Sequence, residues 1–175
     1  EPYRRQRQMC IRDRFIGYST GIAPITSYHY GAGNKKELNN ILKRSSVIIG
    51  IVAIAMFGIS EFLANPLASA FVGYDKELLA MTTHAFRIYG IAFLFSGISI
   101  FGSAFFTALN DGLTSATIAF LRTLLFQCSS VLIMPIFFGL DGIWFSIIVA
   151  ETLSVAVTIT FLAIKNKKFG YWGKF

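Results

Sequence analysis

Cysteine and charged residues are both scarce in this chain. Its 175 residues include only 2 cysteines, Cys10 and Cys128, whose positions form neither a pairing framework nor a ligand spacing. The sequence therefore predicts neither disulfide nor metal chemistry, and cysteine does not indicate the compartment. Charged residues make up 14% of the chain and hydrophobic residues 54%, which is more apolar than a soluble domain of this length usually is.

The polar faces that would cover a soluble core are missing over long stretches. Residues 88–109 contain no charged side chain. A helix of that length is about 33 Å long, which matches the hydrocarbon core of a bilayer. We therefore expect an all-α polytopic membrane protein, with membrane lipids as its surroundings.

Sequence motifs of enzymatic chemistry are also missing. The chain has no nucleophile elbow, zinc-protease helix or Walker pattern, and the glycines of residues 21–38 lead into an asparagine cap. A membrane-embedded enzyme would need a cluster of acid, His or Ser/His residues at one interface, and none is found. We therefore expect no enzyme activity, no catalytic residues and no cofactor.

The formal net charge of +7 does not indicate nucleic-acid binding. Five of the 16 basic residues lie within residues 1–14, so no folded basic surface with interleaved aromatics remains. These first residues share neither composition nor periodicity with the rest, and "MCIRDR" at 9–14 resembles the translation of a transposon-end adapter used in sequencing libraries. We expect native sequence from about Phe15 onward; the alternative is a genuine basic cytoplasmic tail.

Four full membrane spans are predicted, over about residues 45–65, 86–109, 114–138 and 142–164. A fifth apolar stretch, from Phe15 to about Tyr28, is too short to cross and is expected to be the end of a longer helix. Basic residues flank these spans unevenly. Eight lie between the partial stretch and the first full span, or after the last span: Lys35, Lys36, Lys43, Arg44, Lys165, Lys167, Lys168 and Lys174. The positive-inside rule then places these regions and the C-terminus in the cytoplasm.

Local signals predict the helix ends. Asn34 is expected to cap a helix starting at Lys35, with Glu37 completing a capping box, and Gly31 and Gly33 to end the preceding helix in left-handed conformations. Leu38, Ile41 and Leu42 then form an apolar stripe, typical of a helix lying at the membrane surface. Residues 66–74, which start at Pro66, are expected to form an external connection, and Asp75 to start the next helix.

Two charged residues lie deep inside the predicted spans, Arg122 and Glu151. Each costs about 2.5 to 3.5 kcal/mol at a helix centre, so each should find a partner. One hypothesis couples them across adjacent antiparallel helices; in the alternative, Arg122 snorkels to the interface and Glu151 bonds a neighbouring hydroxyl. Glu61, His84 and Arg87 lie nearer the external helix ends, where an interfacial role is favoured.

Hydroxyl residues recur at helical spacing in the span over 86–109. They are Ser96, Ser99, Ser103 and Thr107. Such a stripe is typical of close helix contacts, and a cavity wall is the alternative. Pro135 is expected to act as a hinge by kinking its helix near Val131, and Pro24 to kink the helix near Thr20.

Several tracts together resemble the C-terminal lobe of MATE (multidrug and toxic compound extrusion) transporters of the bacterial branch. They are "GIAPITSYHYGAGN", "RIYGIAFLFSGISIFGSAFFTALND", "ATIAFLRTLLFQ" and "MPIFFGLDGIWFSIIVAE", in this order. The resemblance covers about residues 15–175 and implies the end of helix eight through helix twelve of a two-lobe, twelve-helix protein. The residues that match the helix-eight signature are Gly21, Pro24, Tyr28, Tyr30 and Gly31.

The resemblance implies an antiporter of the inner membrane, in which sodium or protons enter as an organic cation leaves. The missing N-terminal lobe would be the partner of this region. Arg122 and Glu151 match charges that this branch often carries in helices eleven and twelve. One departure is that no acid lies between Arg87 and Asp111, where some members coordinate the cation, so the coupling ion stays open. A flippase of lipid-linked saccharides is the alternative, but it would favour a more basic cavity.

Overall fold

The computed structural model describes residues 2–73 and 76–171. The described residues form five helices and no strand. The helices are α1 (Pro2–Gly31), α2 (Lys35–Val72), α3 (Lys76–Ala108), α4 (Gly112–Gly139) and α5 (Asp141–Phe169). Helices α2 to α5 are long and apolar enough to cross a membrane, which confirms the predicted all-α polytopic class and the four predicted spans.

The turn between α1 and α2 follows from its sequence. Gly33 adopts a left-handed conformation at φ 69°, and the amide of Asn34 donates to the carbonyl of His29, as in a Schellman ending. The side chain of Asn34 then accepts from the amide of Glu37 at 3.1 Å, which confirms the cap at Asn34. The predicted capping box is not completed, because the Glu37 carboxylate accepts from the side chain of Asn40 instead. The prediction for Gly31 was wrong, because it is the last residue of α1 and has no positive φ.

The first turns of α2 correct another prediction. Leu38, Ile41 and Leu42 are buried against the other helices, so this stripe packs into the protein and does not lie on the membrane surface. The helix also continues through Pro66 to Val72, and the expected connection from residue 66 is therefore mostly helical. Pro66 has no amide to donate to the carbonyl four residues earlier, a loss that helices in membranes tolerate. The predicted start at Asp75 lies outside the described residues.

The turn between α3 and α4 has the same backbone pattern as the turn between α1 and α2. Asn110 takes the left-handed position at φ 59°, and the amide of Asp111 donates to the carbonyl of Phe106. Asp111 then caps α4 by accepting from the amide of Thr114. Asparagine tolerates this conformation better than most residues, because its short side chain can form hydrogen bonds with nearby groups of the chain.

Helix α4 contains a π-helical stretch, Leu121–Gln127, that the sequence did not lead us to expect. The chain then reverses at Gly139, whose φ of 60° and ψ of −135° are open to glycine and strained for other residues. Pro135 lies within the helix just before this reversal. The recorded break in helical geometry is therefore at Gly139, and the hinge role of Pro135 stays a prediction.

Helix α3 is the central helix of the described bundle. In the most apolar stretch of α3, 56% of the residues are buried, compared with 6% in the most apolar stretch of α4. Two glycines permit close contacts: a Cβ on Gly97 would lie 2.7 Å from Phe15, and one on Gly102 would overlap the methyl group of Thr158. Small residues thus let α3 approach α1 and α5, as expected for helices packing in lipid.

Candidate functional site

The buried ion pair of Arg122 and Glu151 joins α4 to α5. The Arg122 Nε donates to Glu151 Oε2 at 3.1 Å, and its terminal nitrogen donates to Oε1 at 2.8 Å. The side chains are 17% and 4% exposed. This two-bond geometry is the strongest arrangement available to a guanidinium and a carboxylate. The structure therefore shows the pairing and not the snorkelling alternative.

The pair lies far from the ends of both helices. Each residue is about 15 Å along its helix from one end, measured from Gly112 for Arg122 and from Asp141 for Glu151. Water is scarce at that depth, so neither charge could be left alone without a cost of several kcal/mol. The pair thus neutralises two charges that the bilayer would otherwise penalise.

The ion pair coincides with the π-helical stretch of α4. Arg122 is the second residue of Leu121–Gln127, where the backbone widens from the α-helical repeat. One extra residue turns the following side chains by about 100° relative to a continuous α-helix. Single π turns occur frequently at functional sites. Sequence periodicity alone gave no signal for this change of register.

The hydroxyl stripe on α3 divides into two parts. Ser103 and Thr107 both contact the hydroxyl of Ser115 on α4, at 2.9 and 2.7 Å. Ser96 and Ser99 are buried, and their hydroxyls have no hydrogen-bond partner among the described residues. Ser103 and Thr107 thus form a polar contact between α3 and α4. The cavity-wall interpretation stays a prediction for Ser96 and Ser99.

The signature residues of α1 lie mostly on its outer surface. Tyr28 is 72% exposed, and the positions of Gly21 and Gly31 have open space where a side chain would be. Tyr30 is partly covered, because its ring meets that of Phe169 edge to face at 5.6 Å. The structure therefore does not bring these residues together with the ion pair.

Among the described residues, three further contacts between acidic and basic side chains connect the helix ends. At one end, Arg87 lies 3.5 Å from Glu61, and His84 lies 3.6 Å from Asp141. All four side chains are at least 36% exposed, so each contact stabilises the fold by at most about 1 kcal/mol. These positions agree with an interfacial role.

The third pair, Asp111 with Lys165, lies at the opposite end and was not predicted. The Lys165 Nζ is 2.9 Å from Asp111 Oδ2. Burial works against ionisation of Asp111, but the hydrogen bonds from Lys165 and Thr114 and the nearby positive charge outweigh it and lower its pKa. The signal was available, because Asp111 starts α4 and Lys165 ends α5 on the same predicted side.

A buried tyrosine closes the same end of the bundle. After α5, Gly170 turns at φ 66° and places Tyr171 among Phe105 and Phe169, where it has no exposed surface. Its hydroxyl donates to the carbonyl of Leu162 at 2.8 Å. Burial, with the negative charge of Asp111, raises the pKa of Tyr171. Sequence reasoning missed this residue because it follows the last span in a basic, apparently polar segment.

A comparison with known protein families identifies the family of this chain. The family model MatE matches residues 14–133. The chain belongs to the MATE family. This confirms the resemblance drawn from the sequence tracts.

Curated relatives of this MATE chain are export proteins by name. It is 24% identical over 142 residues to Multidrug export protein MepA of Staphylococcus aureus strain MSSA476. It is 26% identical over 145 residues to the protein of the same name from Staphylococcus saprophyticus. Each match covers 79% of this chain and 30% of the relative. The chain thus spans about a third of the length of these relatives, and no solved structure matches it.

Proposed function

We propose that the complete protein containing this chain is a cation-coupled antiporter that exports organic cations, drugs or toxic metabolites across the cytoplasmic membrane. The observation that supports this most is the MatE match in a chain with four candidate spans. The relatives named for multidrug export agree with it. Members of this family are transporters and not enzymes, which fits the missing catalytic motifs.

The proposed orientation has the C-terminus in the cytoplasm. Lys35 of α2 lies against Gly170 after α5, so the two lysine-rich regions occupy one end of the bundle. The positive-inside rule assigns that end to the cytoplasm. The remaining six-helix lobe would then pair with this region, and residues 1–14 are proposed to be non-native.

The ion pair of Arg122 and Glu151 is proposed to fix the contact between α4 and α5 beside the transport pathway. A paired arginine offers no free positive charge to a lipid-linked saccharide. The flippase alternative is therefore not favoured. An exporter of cations is compatible with a transport pathway beside which the charge of the arginine is neutralised. Sodium and proton remain the two candidate coupling ions.

The test is recovery of the reading frame upstream of Phe15 from the source DNA, followed by an efflux assay. We expect a homologous six-helix lobe with an acid in its first helix, and active export of a cationic dye from cells lacking other pumps. Collapsing either the sodium or the proton gradient separately would identify the coupling ion. A soluble catalytic domain or a stop codon upstream of Phe15 would refute the proposal.

A further inference from the structure

A small notch opens where α1 ends, α2 begins and α5 ends. Its volume is about 90 Å³, and its lining includes His29, Tyr30, Lys35, Lys168 and Phe169. A water molecule occupies about 30 Å³ in the liquid, so the notch has room for a group of a few heavy atoms. It lies at the lysine-rich end of the bundle, at the level of the proposed cytoplasmic interface.

Two ammonium groups of this notch have no counter-charge in the part of the chain that the structure describes. Neither Lys35 nor Lys168 forms an ion pair within residues 2–73 and 76–171, whereas the nearby Lys165 is neutralised by Asp111 at 2.9 Å. The side chain of Lys35 passes close to Gly170, since a Cβ at Gly170 would lie 3.0 Å from the Lys35 Cδ. Gly170 also has a φ of 66°, so a side chain is disfavoured at this position on two grounds.

The other wall of the notch is aromatic. Phe169 is 5% exposed, and it meets the ring of Tyr30 on one face while Lys168 Nζ lies 5.1 Å from its centroid. A positive rim beside the ring of Tyr30, which is 39% exposed, suits a molecule that is anionic at one end and apolar at the other. Basic pockets between membrane helices on the cytoplasmic side bind the headgroups of anionic lipids.

The cleft at the opposite end of the bundle does not have this character. It is larger, about 310 Å³, and is lined by Lys76, His84 and Arg87. Two of these groups already lie beside carboxylates, His84 beside Asp141 and Arg87 beside Glu61. This cleft therefore does not combine two unpaired ammonium groups, as the notch between α1, α2 and α5 does.

We propose that this notch binds the phosphate group of an anionic phospholipid of the cytoplasmic leaflet. Lys35 and Lys168 hold the phosphate, and the glycerol and acyl regions lie against the exposed part of the Tyr30 ring. The inference rests on the proposed membrane orientation. It does not depend on the substrate or on transport itself.

The test measures lipid retained by the complete protein. The protein is purified from bilayers of phosphatidylcholine with an equal amount of phosphatidylglycerol, and bound lipid is identified by native mass spectrometry. K35Q/K168Q should reduce retained phosphatidylglycerol by roughly 10- to 30-fold, given the usual contribution of each lysine near a charged lipid surface. K35R/K168R should retain it, because arginine keeps the charge.

The matched control is K36Q/K167Q, which removes the same charge from neighbouring exposed positions outside the notch. Equal loss in both double variants would overturn the site and show only a diffuse surface attraction. Displacement of the lipid by inorganic phosphate at millimolar concentration would overturn the lipid assignment and leave a site for free phosphate. Dye efflux measured on the same variants separates failure of this site from failure of the proposed function, since a transporter without a lipid site still exports.

Discussion

Removing one partner of the Arg122–Glu151 pair tests how much the pairing of the two buried charges contributes to stability. Arg122→Met leaves Glu151, whose side chain is 4% exposed, without its two donors of 2.8 and 3.1 Å. Glu151→Gln leaves Arg122 with one amide oxygen in place of a carboxylate. An isolated charge at this depth costs about 3 kcal/mol, so we expect each single variant to lose about that much stability.

The double variant, Arg122→Met with Glu151→Gln, should lose much less than the two single variants together. Both charges are then gone, so neither desolvation cost remains, and we expect a total loss of about 2 kcal/mol or less. The coupling energy between the two positions would be about 4 kcal/mol, which is large for residues in contact. Neutral replacement of a buried pair is often tolerated for this reason.

The assay is unfolding of the complete protein in detergent, followed by dye efflux for the variants that remain folded. A double-mutant cycle in unfolding free energy gives the coupling directly. Ser96→Ala serves as a control, since it changes a buried hydroxyl away from the pair. Additive losses would refute the pairing as an energetic unit, whatever the distances in the structure.

Three further predictions concern the packing of the bundle. Tyr171→Phe should cost about 1 kcal/mol, since it removes only the bond to a carbonyl, whereas Tyr171→Ala should cost about 3 to 5 kcal/mol; chemical denaturation measures both. Gly102→Val should lower the midpoint of thermal unfolding, by a loss of about 1 to 3 kcal/mol or more, because its Cβ overlaps Thr158. Asp111 has a lowered pKa in the folded state, so its stabilising effect is present above its ordinary value of 3.8 and is lost as the pH falls through the folded-state pKa. Asp111→Asn should therefore flatten the acid side of the stability profile measured by fluorescence.

Each of these predictions has a matched control or a contradicting result. Gly21→Val is the control for the glycine prediction, since its added side chain meets open space; equal losses at both glycines would contradict the close approach of α3 and α5. Tyr171→Phe that unfolds as readily as Tyr171→Ala would show that the hydroxyl, and not the ring, stabilises this end. An unchanged acid profile in Asp111→Asn would show that its bond to Lys165 is not formed in solution.

Features that depend on a few neighbouring residues could be predicted from the sequence. The apolar length of residues 88–109 decides that a helix can cross a membrane, and the cap at Asn34 needs only the amide of Glu37 three residues later. The left-handed turn at Gly33 is local in the same sense. For Arg122 and Glu151 the sequence could show that two buried charges need partners, but two arrangements stayed equally compatible with it.

Only the tertiary structure decided which groups meet across the bundle. Arg122 lies within the π-helical stretch Leu121–Gln127, which no periodicity in the sequence indicates. Tyr171 follows the last span in a basic segment, yet α3 and α5 leave a space that its ring fills. Lys35 faces Gly170 from the other end of the chain. Local sequence determines which segments enter the membrane because hydropathy and capping act over one or two turns, whereas register, burial and charge pairing depend on residues far apart in the chain.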